Sequence, residues 1–133
     1  MPGMRRVRRS QQMLKPDWWN ALFAAIDGKR TQDFVAFLCE DGEFRFGSAP
    51  GVRGRASVAA AVDAFFGMIA ASRHELVRAW TDDGSAVCEG NVTYTRLDGS
   101  QVTLPFVNVF YLRDGLVARY LIYIDSAPLF AAG

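Results

Sequence analysis

The sequence predicts an α+β domain in which three N-terminal helices pack on a strongly curved, mainly antiparallel sheet to form a cone. Three observations lead there. Asp-Gly pairs at Asp83-Gly84, Asp98-Gly99 and Asp114-Gly115 punctuate the second half at nearly even spacing. Asp-Gly is a strong hairpin signal, because a type I′ turn needs positive φ at both central positions. Between the pairs lie runs rich in β-branched and aromatic residues, so Arg73 to Asp125 reads as four long antiparallel strands. The half before them carries apolar residues at helical spacing.

The elements follow in order. Pro16 suits a first helical turn, and Trp18, Trp19, Leu22, Phe23 and Ile26 then share a face until Gly28 ends the helix. Thr31 is expected to cap a second short helix carrying Phe34, Phe37 and Leu38. A short strand, Glu43 to Phe46, is expected after a turn at Asp41-Gly42, then a glycine- and proline-rich loop from Gly47 to Gly54. The third helix is predicted over about Arg55 to Ala71, with Val58, Val62, Phe65, Phe66 and Ile69 on one face.

The run Val102 to Leu112 is informative on both faces. Val102, Leu104, Phe106, Asn108 and Phe110 share one; Val107, Val109 and Tyr111 share the other. An antiparallel strand with one wet face alternates more cleanly. Helices can cover one side, and a second copy of the chain is the simplest cover for the other, so a homodimer through the outer sheet face is expected. Pro105 and Gly90 mark expected bulges that curl the sheet. An apolar interior beneath a helical lid is a natural site for a small apolar molecule.

Composition narrows the classes. A chain of 133 residues that is half hydrophobic can bury one full core. Net charge is +1, so no nucleic-acid partner is expected. Arg5, Arg6, Arg8 and Arg9 crowd the start; the total of 15 basic residues less these four leaves 11, against 14 acidic ones. Residues 1–14 are read as a disordered basic tail and 15–133 as the cone domain. No apolar run reaches the length of a membrane span, and Cys39 and Cys88 show neither pairing nor metal-ligand spacing, so a reduced, cytoplasmic protein is expected. No metal cluster, phosphate-cradling loop or serine elbow is evident, and no metal or cofactor is expected.

The stretches WWNALFAAIDGKRTQDFVAFLCEDGEFRFG, GVRGRASV, CEGNVTYTRLDG and DGLVARYLIYIDSAPLF carry a resemblance to the nuclear-transport-factor-like superfamily. Within it the chain is most similar to the SnoaL-like group, whose fold is a cystatin-like roll and which includes polyketide cyclases. The resemblance runs from about Trp18 to Phe130. Ketosteroid isomerases, as relatives, would place their Tyr at Leu22, their Asp base at Phe46 and their second Asp at Asn108, leaving an amide donor but no base. Limonene epoxide hydrolases resemble the last strand, Tyr120-Leu121-Ile122-Tyr123-Ile124-Asp125. Their water-activating Asp falls on Ile122, and their Arg and second Asp fall near Gly90 and Val92. Neither catalytic set is kept.

The candidate catalytic residues are therefore His74, the single histidine, and Asn108. His74 would act as a base toward an acidic C–H, with Asn108 or a Tyr hydroxyl steadying the oxyanion; a structural place at a strand edge is the other reading of His74. Asn108 either meets ligand or bonds a neighbouring Tyr or backbone group. Alternation makes Phe44, Phe46, Tyr94, Phe106, Tyr120, Ile122 and Ile124 candidate ligand-binding residues, and Trp18 joins them as a residue of the first helix expected at the cavity mouth. Trp18 and Trp19, being adjacent, are not expected to face inward together. Arg45, Glu89, Arg96 and Arg119 read as outward-facing groups, and Asp125 as the cap of the turn after the sheet. Two functions remain: a small-molecule cavity running cofactor-free isomerase or cyclase chemistry, or a non-catalytic ligand-binding or dimerising module.

Overall fold

The computed structural model describes residues 15–131; the expected basic tail lies outside them. Helix α1 spans Pro16–Asp27, α2 Thr31–Val35, α3 Arg55–Phe66 and a short α4 Ala127–Phe130. The strands are β1 Leu38–Phe46, β2 Val52–Arg53, β3 Ile69–Asp82, β4 Ser85–Arg96, β5 Gln101–Arg113 and β6 Leu116–Tyr123. They form one curved, unclosed sheet in the order β2-β1-β6-β5-β4-β3. Only β1 and β6 run parallel. The α+β cone expected from the sequence is the fold observed.

Helix α1 begins as expected, with proline in its first turn, and the Gly28 amide closes it on the Ala24 carbonyl. It buries Trp19, Leu22, Phe23 and Ala25 against the sheet and its neighbours. Thr31 does not cap α2, because Arg30 occupies the cap position. Its hydroxyl instead donates 2.5 Å to Asp63, which ties α2 to α3. Helix α3 stops at Phe66, five residues before the expected end. Gly67 caps it and Ile69, read as a helical residue, opens β3.

Strand β1 starts earlier than expected, and Asp41-Gly42 lies inside it as an irregularity, not a turn. A Cβ at Gly42 would stand 3.0 Å from the Cys39 carbonyl and 3.2 Å from both Leu38 Cβ and the Val117 carbonyl, so β1 kinks against β6 where a side chain would crowd its neighbours. All three Asp-Gly pairs do connect strands. Only Asp114-Gly115 has positive φ at both residues, at 53° and 85°; at the other two only the glycine is left-handed.

Gly90 acts as expected and Pro105 does not. A Cβ on Gly90 would lie 2.4 Å from the Glu75 carbonyl and 2.7 Å from Phe106, and β3 slips register opposite it, between Leu76 and Arg78. Pro105 pairs with Asn91 in an unbroken ladder. Two arginines fasten the ends of the sheet: Arg55 donates to the Leu38 carbonyl, and Arg96 to the Pro128 and Leu129 carbonyls. Asp125 caps the final turn by accepting the Ala127 amide at 3.1 Å. Along β5, Leu104, Phe106, Asn108 and Phe110 are buried, whereas Val107 and Tyr111 are exposed on the convex face.

Candidate active site

The concave face is filled unevenly. Over β5, α1 lays an aromatic plug: Trp18 and Trp19 meet edge-on at 5.0 Å and both reach the ring of Phe110, at 5.8 and 5.4 Å. The adjacent tryptophans thus converge on one ring from two sides of the helix. Phe23 packs on Phe106 at 6.2 Å. Beyond this plug α3 stands off the sheet and leaves a cavity of about 220 Å³. Phe44 and Phe46 of β1, Tyr120 and Ile122 of β6, and Ala61, Phe65 and Phe66 of α3 form its apolar walls. Ala49 and Pro50 of the loop and Val52 of β2 edge it. Ser72 and His74 of β3 and Tyr94 of β4 complete it.

His74 is tightly held. Its Nδ1 lies 2.5 Å from Asp27 Oδ1, and its backbone amide donates 2.9 Å to Asp27 Oδ2. Ser72 donates its hydroxyl to Asp27 Oδ1 at 2.8 Å. The ring is flanked by Phe23, 4.9 Å away, and Phe106, 5.4 Å away. Burial works to raise the Asp27 pKa, but the bonds and charge of His74 and the bond from Ser72 outweigh it and hold the carboxyl below its ordinary value. An ionised carboxylate only accepts, so Nδ1 carries the proton and, in the neutral ring, Nε2 keeps the lone pair.

The other polar groups serve this arrangement differently. Asn108 is 1% exposed but stands behind the wall, where its Nδ2 donates 3.0 Å to the Tyr120 hydroxyl. Its Oδ1 has no partner. Burial raises the pKa of Tyr120, helped by nearby Cys88, Tyr94 and Asp27, and burial also raises that of Tyr94, with the Asp27 charge adding to it. Both phenols therefore stay protonated donors. Burial pushes the Cys88 thiol up to about 12, which makes it inert as a nucleophile.

Of the residues picked from sequence, His74, Phe44, Phe46, Tyr94, Tyr120 and Ile122 line the cavity. Trp18, Phe106 and Asn108 do not: α1 covers the β5 side chains and draws Trp18 against Phe37 and Phe110. Ile124 follows the end of β6 and packs at the core margin. Asp27 and Ser72 were missed. Asp27 had a signal: a carboxylate in the last turn of a helix opposes the helix dipole and needs donors from elsewhere. Arg45 is half-buried, its guanidinium over the Tyr123 ring, and Arg96 is a structural clamp. No group of three or more His, Cys, Asp or Glu among the described residues is arranged to hold a metal. No helix among them is long and apolar enough to cross a membrane.

The SnoaL-like domain family matches residues 19–120, which take in the Asp27–His74 pair and all of the cavity lining except Ile122. The chain belongs to that family. None of the curated proteins matches it. Similar solved structures include a nuclear-transport-factor-like protein of unknown function from Burkholderia pseudomallei. It is 18% identical, with 90% of this chain and 93% of that one covered and a TM-score of 0.78. TerC, co-crystallised with polyporic acid, is 19% identical over 82% of this chain and 89% of that one, at 0.73. An LEH-like epoxide hydrolase from M. tuberculosis is 18% identical over 84% of this chain and 82% of that one, at 0.70. At these identities the likeness establishes the SnoaL-like fold and leaves the reaction to the site.

Proposed function

We propose that this SnoaL-like protein binds a small, mainly apolar molecule under its helical lid and removes a proton from it, in cofactor-free chemistry of isomerase or cyclase type. The observation that carries the reading is the Asp27–His74 pair opening into an apolar cavity. His74 Nε2 accepts the proton of a C–H beside a carbonyl, and the C–H electron pair moves onto the carbonyl oxygen as an enolate. The Asp27 carboxylate stabilises the imidazolium that forms, and Tyr94, a neutral donor at the wall, steadies the enolate oxygen. Asn108 acts through Tyr120, whose hydroxyl it holds. The proton then returns to another atom of the same molecule, so no co-reactant is consumed.

Hydrogen–deuterium exchange of a panel of cyclic ketones in D2O, followed by NMR, tests the base. Conversion of His74→Gln is expected to lower catalysed exchange at least about 100-fold. Unchanged exchange in that variant ends the catalytic reading and leaves the non-catalytic binding module, which the loss of both relatives' catalytic sets favours.

A homodimer through the convex face belongs to the same proposal. Trp80, Val107, Tyr111 and Tyr123 are exposed there, and Arg78, Arg119 and Arg45 lie over three of these rings. Pairing buries these residues. Val109→Arg is expected to give a one-chain mass by light scattering where the wild type gives twice that mass. A wild-type monomer overturns the dimer.

A further inference from the structure

We infer that the cavity selects a neutral ketone of one or two rings and rejects both anions and four-ring skeletons. The inference rests on the cavity being a binding site, and it adds size, charge and orientation. An apolar protein cavity of roughly 150 Å³ accepts one benzene ring. This one offers about 220 Å³ and is open to solvent on one side, and a second fused ring, sharing an edge with the first, needs less than a second full volume. Four fused rings exceed that volume, so part of an apolar skeleton would be left in solvent.

Charge is read from the wall. No Lys, Arg, Asp or Glu lines the cavity, and the titratable groups that do are His74 and two tyrosines held in their neutral form. The residue behind His74 is the Asp27 carboxylate, 2.5 Å from its ring. Protonation of His74 would only neutralise Asp27, so a bound carboxylate or phosphate would leave a desolvated net negative charge. A neutral ligand meets no such cost.

Orientation follows from placement. Ser72 and Tyr94 are cross-strand partners on β3 and β4, and His74 lies two residues along the same face. These three gather polar groups on the β3–β4 edge, where Asp27 already engages the Ser72 hydroxyl and His74 Nδ1; the other polar group of the lining is Tyr120 on β6, whose hydroxyl is held by Asn108, and the rest is aromatic and aliphatic. The oxygenated edge of the ligand therefore faces β3 and β4, and its hydrocarbon body lies between β1 and α3. Flat aromatic walls such as Phe44, Phe46 and Phe65 suit planar rings.

The test uses three probes on the whole chain: 2-tetralone, 2-naphthoate and a four-ring steroid ketone. Calorimetry is expected to show 2-tetralone binding at least ten-fold more tightly than either other probe. Ala61→Phe, which fills the α3 side, is expected to weaken 2-tetralone more than ten-fold while cyclohexanone stays within about three-fold. Val52→Phe serves the same purpose from β2 if the helix variant does not fold. Equal or tighter binding of the naphthoate or the steroid, or no binding of 2-tetralone, overturns the inference. Binding of 2-tetralone without His74-dependent exchange upholds the ligand class and removes the base, so the two readings fail separately. Exchange seen only with the steroid does the reverse.

Discussion

The two halves of the concave face are built from the same kinds of residue and end in opposite states. Over β5, Phe110 is fully buried beneath Trp18 and Trp19, and Phe106 sits against Phe23 and His74. Over β1 and β6, Phe44, Phe46 and Ile122 face open space under α3. Aromatic content does not decide which half is hollow. The lid does: α1 presses two tryptophans and a phenylalanine onto the β5 rings, whereas α3, with Ala61 and Val62 beside Phe65 and Phe66, stands off the sheet. His74 stands at the seam, its ring packed by the filled half and its face open to the hollow one.

That contrast can be broken by mutation. The largest effect is expected from Phe110→Ala, which empties a fully buried position and should cost about 3–5 kcal/mol in urea unfolding. A loss under about 1 kcal/mol would mean that the plug is not tightly packed.

Asp27→Asn sharpens the seam. It weakens hydrogen bonds to a charged acceptor, and the expected loss near neutrality is about 1.5–3 kcal/mol. The sign of the pH dependence follows from the lowered Asp27 pKa. Its stabilising contribution is fully present above the unfolded carboxyl value of about 3.9 and is lost as pH falls through the lower folded value. The gap in urea midpoint between wild type and variant should therefore narrow as pH drops below about 4. A gap that does not change with pH would show that the carboxylate's ionisation is not what stabilises the seam.

The smallest effect is expected at the hollow wall. Phe65→Ala removes a half-buried ring that already faces space, and about 1–2 kcal/mol is expected. A cost matching that of Phe110→Ala would mean that the cavity closes in solution.

Much of the site was legible one element at a time. Alternation along β1, β4 and β6 placed Phe44, Phe46, Tyr94, Tyr120 and Ile122 on the inner face, and the period of two holds wherever a ladder is regular. The same alternation put Asn108 and Phe106 inward correctly, yet inward is not the same as cavity-lining. That depends on what lies above each residue. The boundaries of α3 and β1 were missed where Gly67 and Gly42 act through contacts with distant backbone or a tight turn, which local propensity does not record.

From its own residues the chain determines the order of helices and strands, the hairpin positions, the two-sided apolar character of β5 and its kinship to SnoaL-like proteins. Those are properties of short windows and of periodicity. Tertiary structure alone decided that Asp27 meets His74 across 47 residues and that the hollow opens beside β1, not over β5. Both depend on the angle at which α1 settles on a curled sheet, and that angle is set by packing between residues far apart in the chain.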